Sequence, residues 1–434
     1  MPALSFPPGF RWGTAMSAHQ VEGGNRLNDW WRFEQIPGAI ADGDRSGDAC
    51  RHYELFDQDF ALAEADGHNM HRLSIEWSRL EPERDRWNAA EVEHYHQVLA
   101  SLKRHRITPL VTLHHFTNPC WIADRGGWEN PETIDRYCEY VRFCAREFGG
   151  EVDWWCTVNE PEVYAFRGMS EAVWPPRKRD DGAALCVIGN LLEAHGRAYR
   201  VLHEEDRADA DGDGFSARVG FAKHRPQLVA ANPWSPLDAL RAAIENQMFN
   251  VAVESAQVTG MIDLSIPGAP PVRREVPELK DAFDWYGLNY YTRWMVHALG
   301  REAHTARVGA PRNDLHWEIW AEGLAEAAHA AARAGKPILI TEHGIADARD
   351  QWRPKFISDS LAALARVIQS GADVIGYLHW SLLDNFEWSD GYRGRFGLYA
   401  VDFNDATKPR RRRESAEVFA RIVRANAVEP APAS

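Results

Sequence analysis

Eight short apolar, β-rich segments recur along the chain: "FRWGTAMS" from Phe10, "NMHRLSI" from Asn69, "ITPLVTLHH" from Ile107, "VDWWCTVNE" from Val152, "ARVGFAK" from Ala217, "DWYGLNYY" from Asp284, "PILITEHG" from Pro337 and "DVIGYLHWSL" from Asp373. Amphipathic helical stretches lie between several of them, such as "AEVEHYHQVLASLKRH" before the third and "ISDSLAALARVIQSG" before the eighth. Strands that alternate with helices imply a parallel sheet, and eight such units closed into a ring make an α/β fold, the (β/α)8 or TIM barrel. The connections 116–130, 223–240 and 292–318 are long, but none is a low-complexity linker and no internal repeat is evident. Residues 1–434 are therefore expected to form a single catalytic barrel domain with long βα loops.

Composition bears on what such a barrel could meet. Hydrophobic residues at 45% and charged residues at 26% supply a large core and give no reason to expect disorder. Eighteen tryptophans suit either core packing or the apolar faces of sugar rings. A formal charge of -14 disfavours nucleic acid and anionic membrane as partners. The one basic run, Arg410 to Arg413, reads as a solvated helix start. No signal-like N-terminus and no membrane-length apolar window occur, and Cys50, Cys120, Cys138, Cys144, Cys156 and Cys186 show no CxxC spacing. A cytoplasmic protein with reduced thiols and no membrane partner is expected, and a homo-oligomer is compatible with this composition. "DADGDG" (Asp209 to Gly214) opens like a calcium loop, but its twelfth position is Gly220, so it reads as a surface turn.

In this fold the strands deliver their functional residues at their C-terminal ends. "ILITEHGIAD" puts Glu342 where strand seven would emerge, with Ile338 and Ile340 serving the layered barrel core. "WWCTVNEP" ends strand four on Asn159 and Glu160. Two glutamates facing one pocket are the equipment of glycoside hydrolysis, where a separation of about 5 to 5.5 Å gives retention and about 6.5 to 9.5 Å gives inversion.

The motifs "FRWGTAMSAHQVEGG", "HRLSIEWSRLEP", "TLHHFTNPCW", "TVNEP", "YGLNYYT", "ITEHGIAD" and "HWSLLDNFEWSDGYRGRFGL" occur in the order found in glycoside hydrolase family 1, the β-glucosidase and β-galactosidase family. The chain resembles that family from about Phe6 to its last helix. The resemblance implies a retaining, exo-acting β-glycosidase in which Glu160 is the general acid/base and Glu342 the nucleophile. It implies that Arg72 and Tyr291 hydrogen-bond the nucleophile and that Asn159 grips the 2-hydroxyl. Gln20, His115, Glu387 and Trp388 match the grip on the outer hydroxyls, Trp380 the floor of the sugar site, Phe396 a wall, and Asn289 the pocket shell. No metal or cofactor is implied. The substrates implied are small β-glycosides or oligosaccharides, with glucosides, galactosides and fucosides favoured over 6-phosphosugars because Glu387 would repel a phosphate.

Three positions depart from the family pattern: His343 stands where most relatives carry Asn, His19 replaces the usual aromatic, and Phe116 stands where many have Trp. His343 adds a titratable ring beside the nucleophile, which either alters the pH profile or matters only through its backbone. A sugar-binding barrel that has lost catalysis is disfavoured because both glutamates are present. A transglycosylase would use the same intermediate, and an endo-glycanase would need an open cleft where the Glu387 to Phe396 loop suggests a closed pocket.

Overall fold

The computed structural model describes residues 3–299 and 302–429. All eight expected strands are present: β1 (Arg11–Ala15), β2 (Met70–Ser74), β3 (Thr108–His114), β4 (Trp154–Asn159), β5 (Arg218–His224), β6 (Trp285–Tyr290), β7 (Ile338–His343) and β8 (Val374–Trp380). They form a closed barrel in chain order, each parallel to its neighbours, with β8 pairing back onto β1. At least one helix follows each strand: α1 (His52–Ala65), α2 (Ala89–Arg104), α3 (Glu132–Phe148), α4 (Asp181–Glu205), α5 (Ala252–Thr259, preceded by the helix Pro236–Asn246), α6 (Gly323–Ala331), α7 (Arg353–Gln369) and α8 (Glu414–Ala425). No helix of the described residues is long and apolar enough to cross a membrane.

Local chemistry explains the helices. Asn88 caps α2 by accepting from the Ala90 amide, and Asp180 caps α4 by accepting from Ala183, so each satisfies an amide that the first turn leaves free. On α3 the buried residues Ile134, Tyr137, Val141, Cys144 and Phe148 recur every three or four positions, which lays one face on the sheet. Burying a side chain such as Phe148 is worth roughly 1.5–3 kcal/mol.

Inside the barrel, Met70, Leu110, Trp154, Ala222, Trp285, Leu339 and Leu378 pack together. Gly220 makes room for the large rings, since a Cβ there would stand 2.5 Å from the Trp285 ring. Ile338 and Ile340 belong instead to the layer between sheet and helices. The expectation that they fill the barrel is thereby corrected: Leu339 is the β7 residue that points inward.

The basic run is also corrected. Arg410–Arg412 forms a short strand paired with Tyr399–Val401, and the helix begins only at Glu414. Arg410 reaches both carboxylate oxygens of Asp59 on α1 at 2.7 and 2.8 Å, with side-chain exposures of 2% and 0%. Arg413 holds Asp384 in the same two-pronged way. Carboxylates distant in sequence thus bury cations that local sequence reads as solvated. Two of the long connections carry structure of their own, because Gln227–Ala230, Arg293–Val296 and His304–Thr305 make a small three-stranded sheet. The Asp/Gly-rich run is an exposed turn in which Asp209 accepts from the amides of Gly212, Asp213 and Gly214.

Candidate functional site

The carboxylates nominated from the sequence converge at the C-terminal mouth of the barrel because of two irregularities in strand pairing. On β7, Leu288 pairs with Ile340 but Asn289 pairs with Glu342, so Thr341 is an extra residue. This bulge turns Glu342 inward beside Asn289 and His343 outward beside Tyr290. On β4, Cys156 pairs with Gly220 and Asn159 with Ala222, so two residues oppose one and Asn159 is brought back to the inner face. Glu160 follows in the left-handed region, φ 45° and ψ 62°. Such a backbone costs a non-glycine residue about 1–3 kcal/mol and persists only where its surroundings enforce it. Here the Glu160 amide donates to the Ala222 carbonyl at 2.8 Å, and Pro161 opens the next short helix.

A continuous hydrogen-bonded chain joins the two glutamates. The Arg72 guanidinium is paired with Oε1 of Glu342, and Tyr291 donates its hydroxyl to Oε2 at 2.7 Å. Arg72 also donates to Oδ1 of Asn159 at 2.7 Å and to Thr112 at 2.9 Å. Asn289 donates to Oε1 of Glu160 at 2.7 Å and to Asn159 at 3.1 Å, and accepts from Thr341 at 2.6 Å. Burial raises the pKa of Glu342, while Arg72 and Tyr291 oppose that rise. Burial also raises Glu160, and there the charge of Glu342 adds to the effect and carries it well above the usual carboxylate range. As protons leave the pair, Glu342 gives up the first and Glu160 keeps the second.

Around this pair the pocket holds polar atoms without partners. Asn159 uses its oxygen on Arg72, so its amide nitrogen donates to Nε2 of His115 at 3.3 Å. That places the ring hydrogen on Nδ1 of His115, which is buried and has no partner among the described residues. Oε2 of Glu387 is likewise buried and unpartnered, and burial, followed by Asp390 and Glu342, pushes this acid up to about 8. The His115 ring lies nearly parallel to Trp380 at 5.9 Å and to Trp388 at 6.1 Å. Phe396 meets Tyr291 edge-on at 6.0 Å. Among the described residues these two atoms have no protein partner, which leaves both free to bond a ligand.

Gln20 differs. Its amide already donates to Phe386 O at 2.9 Å and Asn385 at 3.1 Å and accepts from Ser17 at 2.7 Å, so it enters the pocket satisfied by protein. Asn289 is similarly saturated and acts on Glu160 rather than on free space. One neighbour escapes the sequence reading: Nδ1 of His224, at the end of β5, is 3.7 Å from Oε1 of Glu160. Its position at the very end of a strand is the available signal.

The departures have physical explanations. His19 is fixed by Glu34 at 2.8 Å and Asn28 at 3.0 Å, and its ring stacks on Trp388 at 5.9 Å and 9°. Phe116 packs against Trp174 and Trp388. His343 points away from the pocket, with Nδ1 on the Tyr377 hydroxyl at 2.8 Å and its ring stacked on Phe356 at 4.7 Å. Burial pushes its pKa down to about 3. His343→Asn is therefore expected to leave both limbs of a pH–rate profile in place between about pH 5 and 9, the range in which a group held that low does not titrate; displacement of either limb would contradict this placement.

Comparison with known proteins adds to the geometry. A model of "Glycosyl hydrolase family 1" matches residues 3–428. The chain is 31% identical to the β-galactosidase of Pyrococcus woesei, covering 98% of each. It is 30% identical to β-glucosidase A of Thermotoga maritima, covering 99% of this chain and 100% of that one. The solved structure of a β-glycosidase from Pyrococcus horikoshii, 36% identical, aligns with a TM-score of 0.89 over 99% of this chain and 97% of that chain.

Proposed function

The chain belongs to glycosyl hydrolase family 1 and is a β-glycosidase, and from that premise we propose that it removes terminal nonreducing β-D-glycosyl residues by double displacement with net retention. Glu342 is the nucleophile and Glu160 the general acid/base in this reading. The observation that carries it is the asymmetry of the two carboxyls: Glu342 is clasped by a guanidinium and a phenol, and Glu160 by one neutral amide.

In the first step Glu342 attacks the anomeric carbon as Glu160 passes its proton to the departing oxygen. Once Glu342 is an ester, the charge that raised Glu160 is gone. Glu160 then becomes the stronger acid, is ionised, and takes a proton from the water that cleaves the ester. Asn159, oriented by Arg72, holds the 2-hydroxyl, an interaction that strengthens as charge develops on the ring. Nδ1 of His115 and Oε2 of Glu387 take the outer hydroxyls, Trp380 and Trp388 supply the apolar walls, Phe396 closes one side and Gln20 orients its neighbours.

Neutral β-glucosides, β-galactosides and β-fucosides are the substrates this pocket fits, and relatives named β-galactosidase, β-glucosidase and 1,4-β-D-glucan glucohydrolase support that breadth. With its pKa near 8, Glu387 holds a proton at neutral pH, and among the described residues it makes no ion pair. A 6-phospho group would thus find a buried, protonated acid and no cation, so the missing counter-charge, rather than the repulsion by a carboxylate expected from the sequence, disfavours it there. We read the setting as cytoplasmic, which the six free cysteines support.

The test is leaving-group dependence. Glu160→Gln is expected to lower kcat/KM on cellobiose or methyl β-glucoside, which need a proton at the leaving oxygen, by about 10²- to 10⁴-fold. The effect on 2,4-dinitrophenyl β-glucoside, whose leaving group needs none, should be far smaller for the first step. Equal losses on both substrates would remove Glu160 from the acid role.

A further inference from the structure

A second pair of charges sits directly behind Glu160 with no part in the reaction just described. Lys223 of β5 and Glu162, on the short helix Pro161–Ala165, are both completely buried and meet at 2.5 Å. The Lys223 ammonium also donates to the carbonyl of His224, lies 3.4 Å from Oδ1 of Asn250 and 5.0 Å from the centre of the Phe249 ring. Oε2 of Glu162 has no partner among the described residues. A buried ion pair gains little stability over two apolar side chains, because desolvation offsets the attraction. What it does fix is geometry, since either charge left alone would be costly.

That geometry joins two pieces of the site. Glu162 lies two residues after Glu160, and Lys223 lies one residue before His224, whose Nδ1 is 3.7 Å from the Glu160 carboxyl. We propose that the buried Glu162–Lys223 pair is a positioning couple that clamps the left-handed turn carrying Glu160 to the end of β5, and so sets the aim and proton affinity of Glu160 in concert with His224.

Other charges around the couple are accounted for. Glu342, Arg72 and Tyr291 face Glu160 across the pocket, and Asn289 holds it from β6. On the far side Glu254 faces Glu162, but Glu254 is itself engaged by Arg225 at 2.9 Å and by the Tyr286 hydroxyl at 3.1 Å. Glu162 repels a negative charge on Glu160, and burial, then the charge of Lys223, pushes His224 down to about 3, so its ring stays neutral. Removing the Glu162 charge would thus free a nearby cation and make Glu160 easier to ionise.

The inference rests on Glu160 being the acid/base, and the experiment separates the two. Glu162→Gln is expected to lower kcat/KM on cellobiose about tenfold, leave 2,4-dinitrophenyl β-glucoside within about twofold, and move the alkaline limb to lower pH. The double variant Glu162→Leu with Lys223→Met, which leaves no unpaired charge, should discriminate between the substrates in the same direction. Wild-type leaving-group dependence and an unmoved alkaline limb in both variants, whatever their Tm, would overturn the proposal, as would equal losses on the two substrates. Failure of both variants to fold would make the pair a folding element and overturn it too. If Glu160→Gln shows no discrimination, the acid/base reading has failed; if Glu160→Gln discriminates and Glu162→Gln does not, only the clamp has failed.

Discussion

Glu342→Ala is expected to lower turnover of p-nitrophenyl β-glucoside by roughly 10⁵-fold or more, the scale on which removal of a catalytic nucleophile acts. The expectation follows from the proposed role of Glu342: among the described residues it is the carboxylate held by both Arg72 and Tyr291, and in the proposed mechanism it forms the ester. In the proposed mechanism, shortening it to Ala leaves a small space on the side of the sugar opposite the leaving group, with Glu160 still in place as the acid. Azide can enter that space. Added azide should restore cleavage of an activated aryl β-glucoside and yield the α-glucosyl azide, because one displacement inverts where two retain. A variant keeping more than about one per cent of wild-type activity without azide, or giving a β-azide with it, would show that Glu342 is not the nucleophile.

The barrel is legible in the sequence because eight strands and their crossover helices leave a periodic trace, and because the helix faces obey simple spacing. Which side of β7 faces the pocket is not. Strict alternation starting from Leu339 would place Thr341 and His343 inside and Glu342 outside; the bulge at Thr341 reverses this, and nothing in "ILITEHG" announces it. The catalytic candidates emerge through ordered motifs, which carry position without geometry. Arg410 misleads for a related reason: its partner Asp59 lies 351 residues away, so local charge pattern reports solvent where there is a buried ion pair. Gln227–Ala230 and Arg293–Val296 read as loops because each run is too short to assert itself before the two pair. Glu162 and Lys223 leave one usable trace. A lysine inside the apolar run "ARVGFAKH" requires a partner, and the acid directly after "NEP" is the nearest one the motif offers.

His68→Leu is expected to stabilise the protein, and to do so more at pH 5 than at pH 7. His68 lies between the end of α1 and β2, 4% exposed, with neither ring nitrogen hydrogen-bonded among the described residues and the Phe419 ring 5.4 Å away. A buried polar ring without partners costs about 1–3 kcal/mol relative to an apolar side chain of similar volume. Burial also pushes its pKa down to about 3, whereas an unfolded chain keeps it near 6.5. Since the folded value lies below the unfolded one, the unfolded chain takes up the proton first as the pH falls. The folded state's advantage is therefore complete above about 6.5 and is lost progressively below it. At pH 5 the loss is about 1.5 pH units at about 1.36 kcal/mol each, or about 2 kcal/mol, and the leucine side chain, having nothing to titrate, abolishes it. Urea midpoints of the two proteins at pH 7 and pH 5 measure this directly: the gap between variant and wild type should widen by about 2 kcal/mol on acidification. A gap that stays constant would mean that His68 keeps the same pKa in the folded as in the unfolded protein, a gap that narrows would mean that it is held protonated when folded, and a less stable variant at pH 7 would mean that its nitrogens are bonded after all.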